Sequence, residues 1–387
     1  MRIELVFGPT GCTSGGLSID VSTIANGLAA RGHVVTVVTT ASPQGASGNS
    51  YVAFSDDVRV ERLAVPSAGS AATRVSLTPG VLSRRQRRCP DVVHVFSLAP
   101  NFLHTAAAMK ARMNHIPLVL SPMMHPGRVA SWRGRGLLGV GMRGYDAVAP
   151  RIAARADLVV VATSEEESYF RSLSASAVVC APPGVEPCEP ITTEEIVGFR
   201  RRLNLSPARP VVLAVTARDE PRKGLGLLRE VARDLEVRCP QASILVAGME
   251  RPATADGAII CMGRLNKRDL ACAYAAADVT FVPSRYEAFS RVVIEAWQQG
   301  RPVVVTRGVG LASEVASGAG LVVPTDDREE ASLALIALLL EKDRATSLGA
   351  RGREMVRQHY EWPAVIDRLE RAYYDLCRQT FARRGTR

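Results

Sequence analysis

The chain has 387 residues, which is too long for one ordinary hydrophobic core and predicts two domains. Its 47% hydrophobic and 22% charged residues are typical of a soluble globular protein. The net charge of +10 would suit nucleic acid, a membrane surface or an anionic substrate. Only 5% of the residues are aromatic and the basic residues are spread out, which argues against a nucleic-acid binder.

The eight cysteines are scattered, without a C-x-x-C pair or a His/Cys cluster. This pattern predicts free thiols in a reducing compartment, with neither a disulfide framework nor a metal site.

The longest strongly apolar run, residues 333–340, is far shorter than the roughly 20 residues that a membrane-spanning helix needs. The first residues resemble a strand, not a signal peptide. We therefore expect a cytoplasmic protein without a transmembrane segment.

Short β-branched runs alternate with helical stretches, as in parallel sheets covered on both faces. In the first half this pattern predicts strands at residues 3–7, 34–39, 92–96, 118–121, 158–162 and 178–181. A glycine-rich loop follows the first strand and precedes a helical pattern. Its Gly15 and Gly16 would let the backbone approach a ligand closely at a helix start.

Two other features of the first half could be functional. The dense basic run at residues 84–88 is best explained as a solvated helix end, and a surface for a membrane or an anionic acceptor is the alternative. His125 lies just beyond the apolar strand at 118–121, on the side where ligands bind in open α/β sheets. His94 and His104 are predicted to be structural.

Four prolines in residues 182–190 predict a linker, which places a first domain at 1–189 and a second at 190–362. The second half repeats the pattern with strands at 211–216, 243–247, 258–261, 279–282, 303–306 and 320–323. Residues 363–387 begin with a pattern of helical spacing. The sequence therefore predicts an α/β protein with two doubly wound parallel-sheet domains.

Two cations follow the first strand of the second half. Arg218 and Lys223 lie in the loop after residues 211–216, at the strand end where ligands bind in such sheets. A planar guanidinium and a compact ammonium can both stabilise phosphate oxygens, so a diphosphate leaving group would not require a metal.

The most informative segment is 283–300, in which Glu287 and Glu295 are eight positions apart. Glu287 falls in a loop after an apolar strand, and Glu295 falls about two turns into the following helix. The backbone N–H groups of Phe289, Ser290 and Arg291 lie between them at the helix start, which favours an anion. This arrangement suits a molecule with hydroxyls at both ends and a diphosphate in the middle.

This segment resembles the signature of the family-four glycosyltransferases, which have the GT-B fold and move a sugar from a nucleotide diphosphate to an acceptor. The resemblance implies two Rossmann-like domains with a cleft between them, and a final helix at 363–387 that crosses back to the first domain. It also implies that Glu287 contacts the transferred sugar, that Glu295 holds the ribose, and that the amides at Phe289 and Ser290 bind the diphosphate. Ser290 stands where many members have glycine.

Other motifs extend the resemblance. It implies that Arg218 and Lys223 contact the donor phosphates and that the loop of Gly15 and Gly16 faces donor phosphate and acceptor. It further implies that His125 contacts a sugar hydroxyl or shields positive charge in the transition state. The nucleotide base would be held by backbone groups near three residues: Gly263, Arg264 and Leu265.

We therefore expect a retaining, metal-independent glycosyltransferase that needs no cofactor besides its nucleotide-sugar donor. Family frequency favours UDP, with GDP and ADP left open. The acceptor would be a small molecule, a glycan or a lipid-linked compound, and peripheral contact with the inner membrane face is left open. The alternatives are a nucleotide-sugar epimerase or sugar phosphorylase on the same scaffold, or a non-catalytic nucleotide-sugar-binding protein.

Overall fold

A computed structural model describes residues 1–8, 16–40, 53–63, 89–97, 102–123, 148–216, 220–249 and 259–385. The chain divides into two compact units. The first combines Met1–Gly184 with Trp362–Arg387, and the second is Val185–Glu361. The predictions made for Gly15, residues 84–88, His125 and Arg218 fall outside the described residues.

The first unit is built on a seven-stranded parallel sheet. Its strands are β1 (Arg2–Phe7), β2 (Val34–Thr40), β3 (Val58–Leu63), β4 (Val92–Phe96), β5 (Leu118–Ser121), β6 (Leu158–Val161) and β7 (Val178–Cys180). Their order is β3-β2-β1-β4-β5-β6-β7. Sequence analysis missed β3, because this edge strand alternates apolar with charged residues and only one of its six residues is fully buried.

Helices cover both faces of this sheet, as the doubly wound arrangement requires. They include α1 (Gly16–Ala30), α2 (Phe102–Met113), α3 (Ser164–Ser172) and a C-terminal helix (Trp362–Gly385). Successive strand residues point to opposite faces. Thus Leu5 shares a buried cluster with Leu28 of α1 and Leu369 of the C-terminal helix, whereas Val6 shares one with Leu103 of α2.

The second unit contains a six-stranded parallel sheet. Its strands are β8 (Val211–Val215), β9 (Ser243–Ala247), β10 (Ile259–Gly263), β11 (Val279–Val282), β12 (Val303–Thr306) and β13 (Gly320–Val323). Their order is β10-β9-β8-β11-β12-β13. The order reverses between β8 and β11, and ligands of such sheets bind outside the carboxyl ends of the strands at this switch point.

Seven helices and two short turns accompany these strands among the described residues. The helices are α4 (Thr193–Arg202), α5 (Leu225–Arg238), α6 (Lys267–Ala276), α7 (Arg291–Gln298), α8 (Ala312–Ala316), α9 (Arg328–Leu340) and α10 (Lys342–Met355). A 3₁₀ turn (Pro221–Lys223) follows β8, and a π-helical turn (Val356–Tyr360) continues α10. Among the described helices, none combines the length and apolar character required to cross a bilayer.

The boundary between the units lies at Val185, five residues before the position expected from the prolines. The N–H of Val185 donates to the carbonyl of Tyr360 over 2.7 Å, and Val185 forms an isolated parallel bridge with Glu361. Its side chain belongs to the core of the second unit. This packing explains why the later part of the proline-rich segment, residues 185–190, belongs to the second unit.

Candidate active site

Lys223 and Glu287 form an ion pair at the switch point of the second sheet. The Nζ atom of Lys223 lies 2.9 Å from Oε1 of Glu287. Lys223 ends the turn after β8, and Glu287 belongs to the loop after β11. The two side chains are only 20% and 16% exposed, so water screens this pair less than it screens a surface ion pair.

Two polar atoms in the loop after β11 lack a hydrogen-bond partner among the described residues. They are Oε2 of Glu287 and Oγ of Ser290, and both are buried. Ser290 is the N-cap of α7, yet its side chain makes no bond to the helix amides, although capping is the usual role of serine there. A buried polar atom without a partner is costly, so a ligand that supplies hydrogen bonds here would be stabilised.

The backbone around Glu287 is fixed by the loop after β12. The N–H of Glu287 donates to the carbonyl of Gly308 over 2.9 Å, and the N–H of Gly310 donates to the carbonyl of Glu287 over 2.8 Å. A Cβ atom at Gly310 would overlap the carbonyl oxygen of Ala288. Glycine is therefore needed for this close approach.

The loop after β8 is held against the same segment. The N–H of Arg285 donates to the carbonyl of Arg222 over 2.8 Å. Gly224, with φ of +69°, would place a Cβ atom into the carbonyl oxygen of Pro283. Backbone contacts on both sides of Lys223 therefore position its ammonium beside Glu287.

Glu295 lies one turn beyond the start of α7 and is bonded to a buried phenol. The hydroxyl of Tyr274, on α6, donates to Oε2 of Glu295 over 2.7 Å. Burial raises the pKa of Glu295, although the Tyr274 bond and the positive charge of Arg291 act in the opposite direction. Burial likewise raises the pKa of Tyr274 and lowers that of Arg291. One carboxylate oxygen of Glu295 is thus oriented by the protein.

The proposed base-binding loop lies at the carboxyl end of β10, two strands from β8. Gly263 has φ of +69°, and its carbonyl accepts from the N–H of Gly248 over 2.7 Å. Arg264 is exposed, and Leu265 packs against the core. Parallel strands present their carboxyl ends at one edge, so this loop and Glu287 lie along the same edge of the sheet.

The structure thus brings together most of the residues predicted in the second half. They are Lys223, Gly263, Arg264, Leu265, Glu287, Phe289, Ser290, Arg291 and Glu295. The ring of Phe289 lies 6.1 Å from that of Tyr360, so it supports the loop from the core side. Sequence analysis missed the contribution of Tyr274, whose only local signal was a phenol within an otherwise apolar helical run.

In the first unit, Gly16 begins α1. His94, expected to be structural, is fully buried and bonds to Tyr373 Oη over 2.6 Å and to Ser121 Oγ over 2.8 Å. Burial lowers the pKa of His94 to about 3. His104 accepts from the N–H of Gly8 over 2.9 Å. Among the described residues, no group of three or more His, Cys, Asp or Glu side chains could hold a metal ion.

Two family models match the sequence. The Glycosyl transferase 4-like domain matches residues 15–184, and Glycosyl transferases group 1 matches residues 199–355. The two matches together extend over most of both compact units. The chain belongs to the family-four glycosyltransferases with the GT-B fold, so the predicted family and fold class are confirmed.

Curated relatives carry glycosyltransferase names. The chain is 32% identical over 262 residues to the D-inositol 3-phosphate glycosyltransferase of Saccharomonospora viridis. The aligned residues cover 61% of this chain and 59% of that protein. It is 30% identical over 195 residues to the GDP-mannose-dependent monoacylated alpha-(1-6)-phosphatidylinositol monomannoside mannosyltransferase of Corynebacterium glutamicum, with 46% and 51% covered. The aligned part spans between half and three-fifths of these two relatives. With the phosphatidyl-myo-inositol mannosyltransferase of Mycobacterium leprae it shares 26% identity over 386 residues, 96% of each chain.

Solved structures show the same fold at lower identity. The sucrose-phosphate synthase of Thermosynechococcus elongatus superposes with a TM-score of 0.74 at 23% identity and 99% coverage of both chains. WaaG, a glycosyltransferase involved in lipopolysaccharide biosynthesis, superposes with a TM-score of 0.67 at 18% identity, over 97% of this chain and 99% of that chain. At these identities, the likeness concerns the fold alone.

Proposed function

We propose that this protein transfers a sugar from a nucleotide-diphosphate sugar to a hydroxyl of an acceptor. The observation that carries the proposal is the shielded pair of Lys223 and Glu287 at the switch point of the second sheet. The ammonium of Lys223 would stabilise charge that develops on the leaving diphosphate. The Oε2 atom of Glu287, which has no partner among the described residues, would accept a hydrogen bond from a hydroxyl of the transferred sugar.

The other groups along this edge would bind the rest of the donor. The amides at Phe289, Ser290 and Arg291 would contact the diphosphate, because a helix start favours an anion. Glu295, oriented by Tyr274, would accept hydrogen bonds from the ribose hydroxyls. The backbone near Gly263 would hold the base.

Three predicted residues outside the described part complete the proposal. Arg218 would add a second cation at the diphosphate, His125 would contact the sugar, and Gly15 would lie near the phosphate and the acceptor.

We further propose a retaining reaction without a required metal. The bond between the anomeric carbon and the phosphate oxygen breaks, and the acceptor oxygen bonds to that carbon from the same face. The acceptor proton passes to the departing phosphate, which therefore serves as the base. Fixed cations and amides supply the stabilisation that a metal would otherwise supply.

The donor is proposed to be a UDP-sugar and the setting the cytoplasm. The relatives' names point to lipid-linked or phosphorylated inositol acceptors for those enzymes, so such compounds are the first acceptors to assay here. A lipid-linked acceptor would require peripheral contact with the inner membrane face.

Isothermal titration with UDP, GDP and ADP tests donor binding and identifies the base. Mass spectrometry of reactions with the matching nucleotide sugar, with and without acceptors and with a chelator, then tests transfer. We expect glycosylated product with the anomeric configuration retained and no loss on chelation. Absence of binding by all three nucleotides would contradict the proposal. Interconversion of the donor without acceptor would indicate an epimerase, and a requirement for inorganic phosphate would indicate a phosphorylase.

A further inference from the structure

A cavity of about 620 Å³ lies at the amino ends of the strands of the second sheet, whereas the candidate active site lies at their carboxyl ends. Its polar lining consists of Arg200, Arg201, Asn204, Ser206, Asp278 and Arg301. Asp278 immediately precedes β11, whereas Glu287 follows that strand. The cavity therefore faces the amino ends of the strands, at least one strand length, roughly 13 Å, from the Lys223–Glu287 pair.

Arg200 is a buried cation without a carboxylate partner among the described residues. It is 8% exposed, and its Nη atoms donate to backbone carbonyls only. Nη1 donates to Ala276 over 2.6 Å, and Nη2 donates to Ser206 over 3.1 Å and also to Arg209. Its Nε is buried and has no acceptor in the described part of the chain.

Arg301 repeats this arrangement from the start of β12. Its Nη2 donates to the carbonyl of Ala275, and its Nε is also buried without an acceptor among the residues that the structure describes. Burial lowers the pKa of Arg200 and of Arg301, and only the negative charge of Asp278 opposes that effect. The last carbonyls of α6 are thus satisfied by the two arginines, but the positive charges are not balanced.

Among the described lining residues there is one carboxylate, that of Asp278, and it is already engaged. Oδ2 of Asp278 accepts from the N–H of Val211 over 2.8 Å, and Oδ1 accepts from Nζ of Lys342 over 2.7 Å. Arg201, next to Arg200 on α4, is exposed, and its guanidinium has no partner in the described part of the chain. The described residues that line the cavity therefore include three arginines and one carboxylate, which Lys342 neutralises.

We propose that this cavity is a second ligand site, which binds a small phosphate monoester. Guanidinium groups match phosphate oxygens in charge and in planar geometry. The volume is within the roughly 300–1,000 Å³ of small-molecule sites. Apolar side chains complete the wall and would contact the organic part of the ligand: Ile196, Val197, Leu205 and Pro207. That apolar wall favours a monoester over free phosphate.

The test uses the full-length Lys223→Ala variant as the background, because the active site is itself proposed to bind phosphate. Glucose 6-phosphate, inorganic phosphate and glucose are titrated separately by calorimetry at constant ionic strength. We expect saturable binding of glucose 6-phosphate with one site per chain, weaker binding of inorganic phosphate and none of glucose. Equal affinity for inorganic phosphate would overturn the assignment to a monoester, and no saturable binding of glucose 6-phosphate would overturn the site.

Substitutions then locate the binding. Arg201→Ala removes an exposed, unpartnered cation, so the fold should be unaffected while affinity falls about threefold to tenfold. Arg301→Gln should weaken binding further, by tenfold or more. The control is Arg202→Ala, which removes the same charge from α4 but breaks an exposed pair with Asp269, 2.7 Å away. Equal weakening in Arg202→Ala and Arg201→Ala would show non-specific attraction and overturn the proposal.

Discussion

Tyr274 holds Glu295, 21 positions further along the chain, through a hydrogen bond of 2.7 Å that joins α6 to α7. The phenol is 2% exposed, so neighbouring side chains fix the direction in which it donates. Its partner Glu295 belongs to the helix whose first turn faces the proposed diphosphate site. Tyr274 is therefore a positioning residue for a carboxylate that the donor would contact.

Replacing Tyr274 by Phe should weaken nucleotide binding about tenfold, because a hydrogen bond to a charged group contributes roughly 1.5–3 kcal/mol. Turnover at saturating donor should change less than KM, since the phenol does not reach the reacting atoms in the proposed arrangement. Calorimetry and initial-rate kinetics provide both readouts. Tyr374→Phe, at a position of the C-terminal helix that is 41% exposed, is the control. Unchanged nucleotide affinity in Tyr274→Phe would contradict the positioning role.

The same pair predicts a pH dependence of donor binding. Burial raises the pKa of Glu295, so this side chain becomes protonated at a higher pH than an ordinary glutamate does as the pH falls. If the ionised form of Glu295 accepts hydrogen bonds from the ribose hydroxyls, nucleotide affinity should decrease as the pH falls through that raised pKa. The Tyr274 bond lowers the pKa, so Tyr274→Phe should move the inflection to higher pH. Affinity measured against pH checks this, and Glu295→Gln should lack the inflection.

A second pH effect concerns the stability of the first unit. His94 has a folded-state pKa of about 3, against an unperturbed value of 6.5, because burial disfavours its charged form. Below about pH 6.5, His94 therefore binds a proton in the unfolded chain but not in the folded unit. The free energy of unfolding is unaffected by this proton above that pH. It decreases by about 1.4 kcal/mol per pH unit as the pH falls from 6.5 toward 3.

Hydrogen exchange of the β4 amides, measured between about pH 7.5 and pH 5, should show this loss as lower protection free energy, after correction for intrinsic exchange. His94→Gln keeps hydrogen-bonding capacity toward Ser121 and Tyr373 but cannot titrate. Its protection should depend less on pH, by about 2 kcal/mol over that interval. An identical pH dependence in both proteins would show that His94 is not the responsible group.

Features set by local periodicity were predictable from the sequence, and those set by long-range contacts were not. Every strand of the second sheet was placed within two residues, since buried parallel strands are continuous apolar runs. The edge strand β3, in which charged residues alternate with apolar ones, lacked that signal. Lys223 and Glu287 were predicted as site residues, but their direct ion pair depends on the packing of two loops. The bond from Tyr274 to Glu295 likewise requires two helices to pack side by side.

The interlocked loops predict a strong effect of one methyl group. Gly310→Ala would push Cβ into the carbonyl oxygen of Ala288 and displace the loop that holds Glu287. Transfer activity should fall at least tenfold, even where the variant stays folded, because small displacements of catalytic groups are costly. Gly226→Ala is the matched control, since a Cβ atom there meets nothing within 4 Å. Activity of Gly310→Ala equal to that of Gly226→Ala would show that the loop contact does not position Glu287.

Lys223→Ala is the most direct test of the proposed chemistry. Removing a donor that stabilises transition-state charge typically lowers turnover about 10²–10³-fold. The ion pair with Glu287 is partly shielded, so some loss of stability is also expected, and thermal unfolding separates the two effects. Lys342→Ala is the control. The Nζ atom of Lys342 lies 2.7 Å from Oδ1 of Asp278, which precedes β11 at the amino ends of the same strands. If Lys223 serves only to hold Glu287, then Glu287→Gln and Lys223→Ala should lose equal activity and the double variant should lose no more. If Lys223 also stabilises the leaving diphosphate, Lys223→Ala should recover with donors that carry a better leaving group, whereas Glu287→Gln should not.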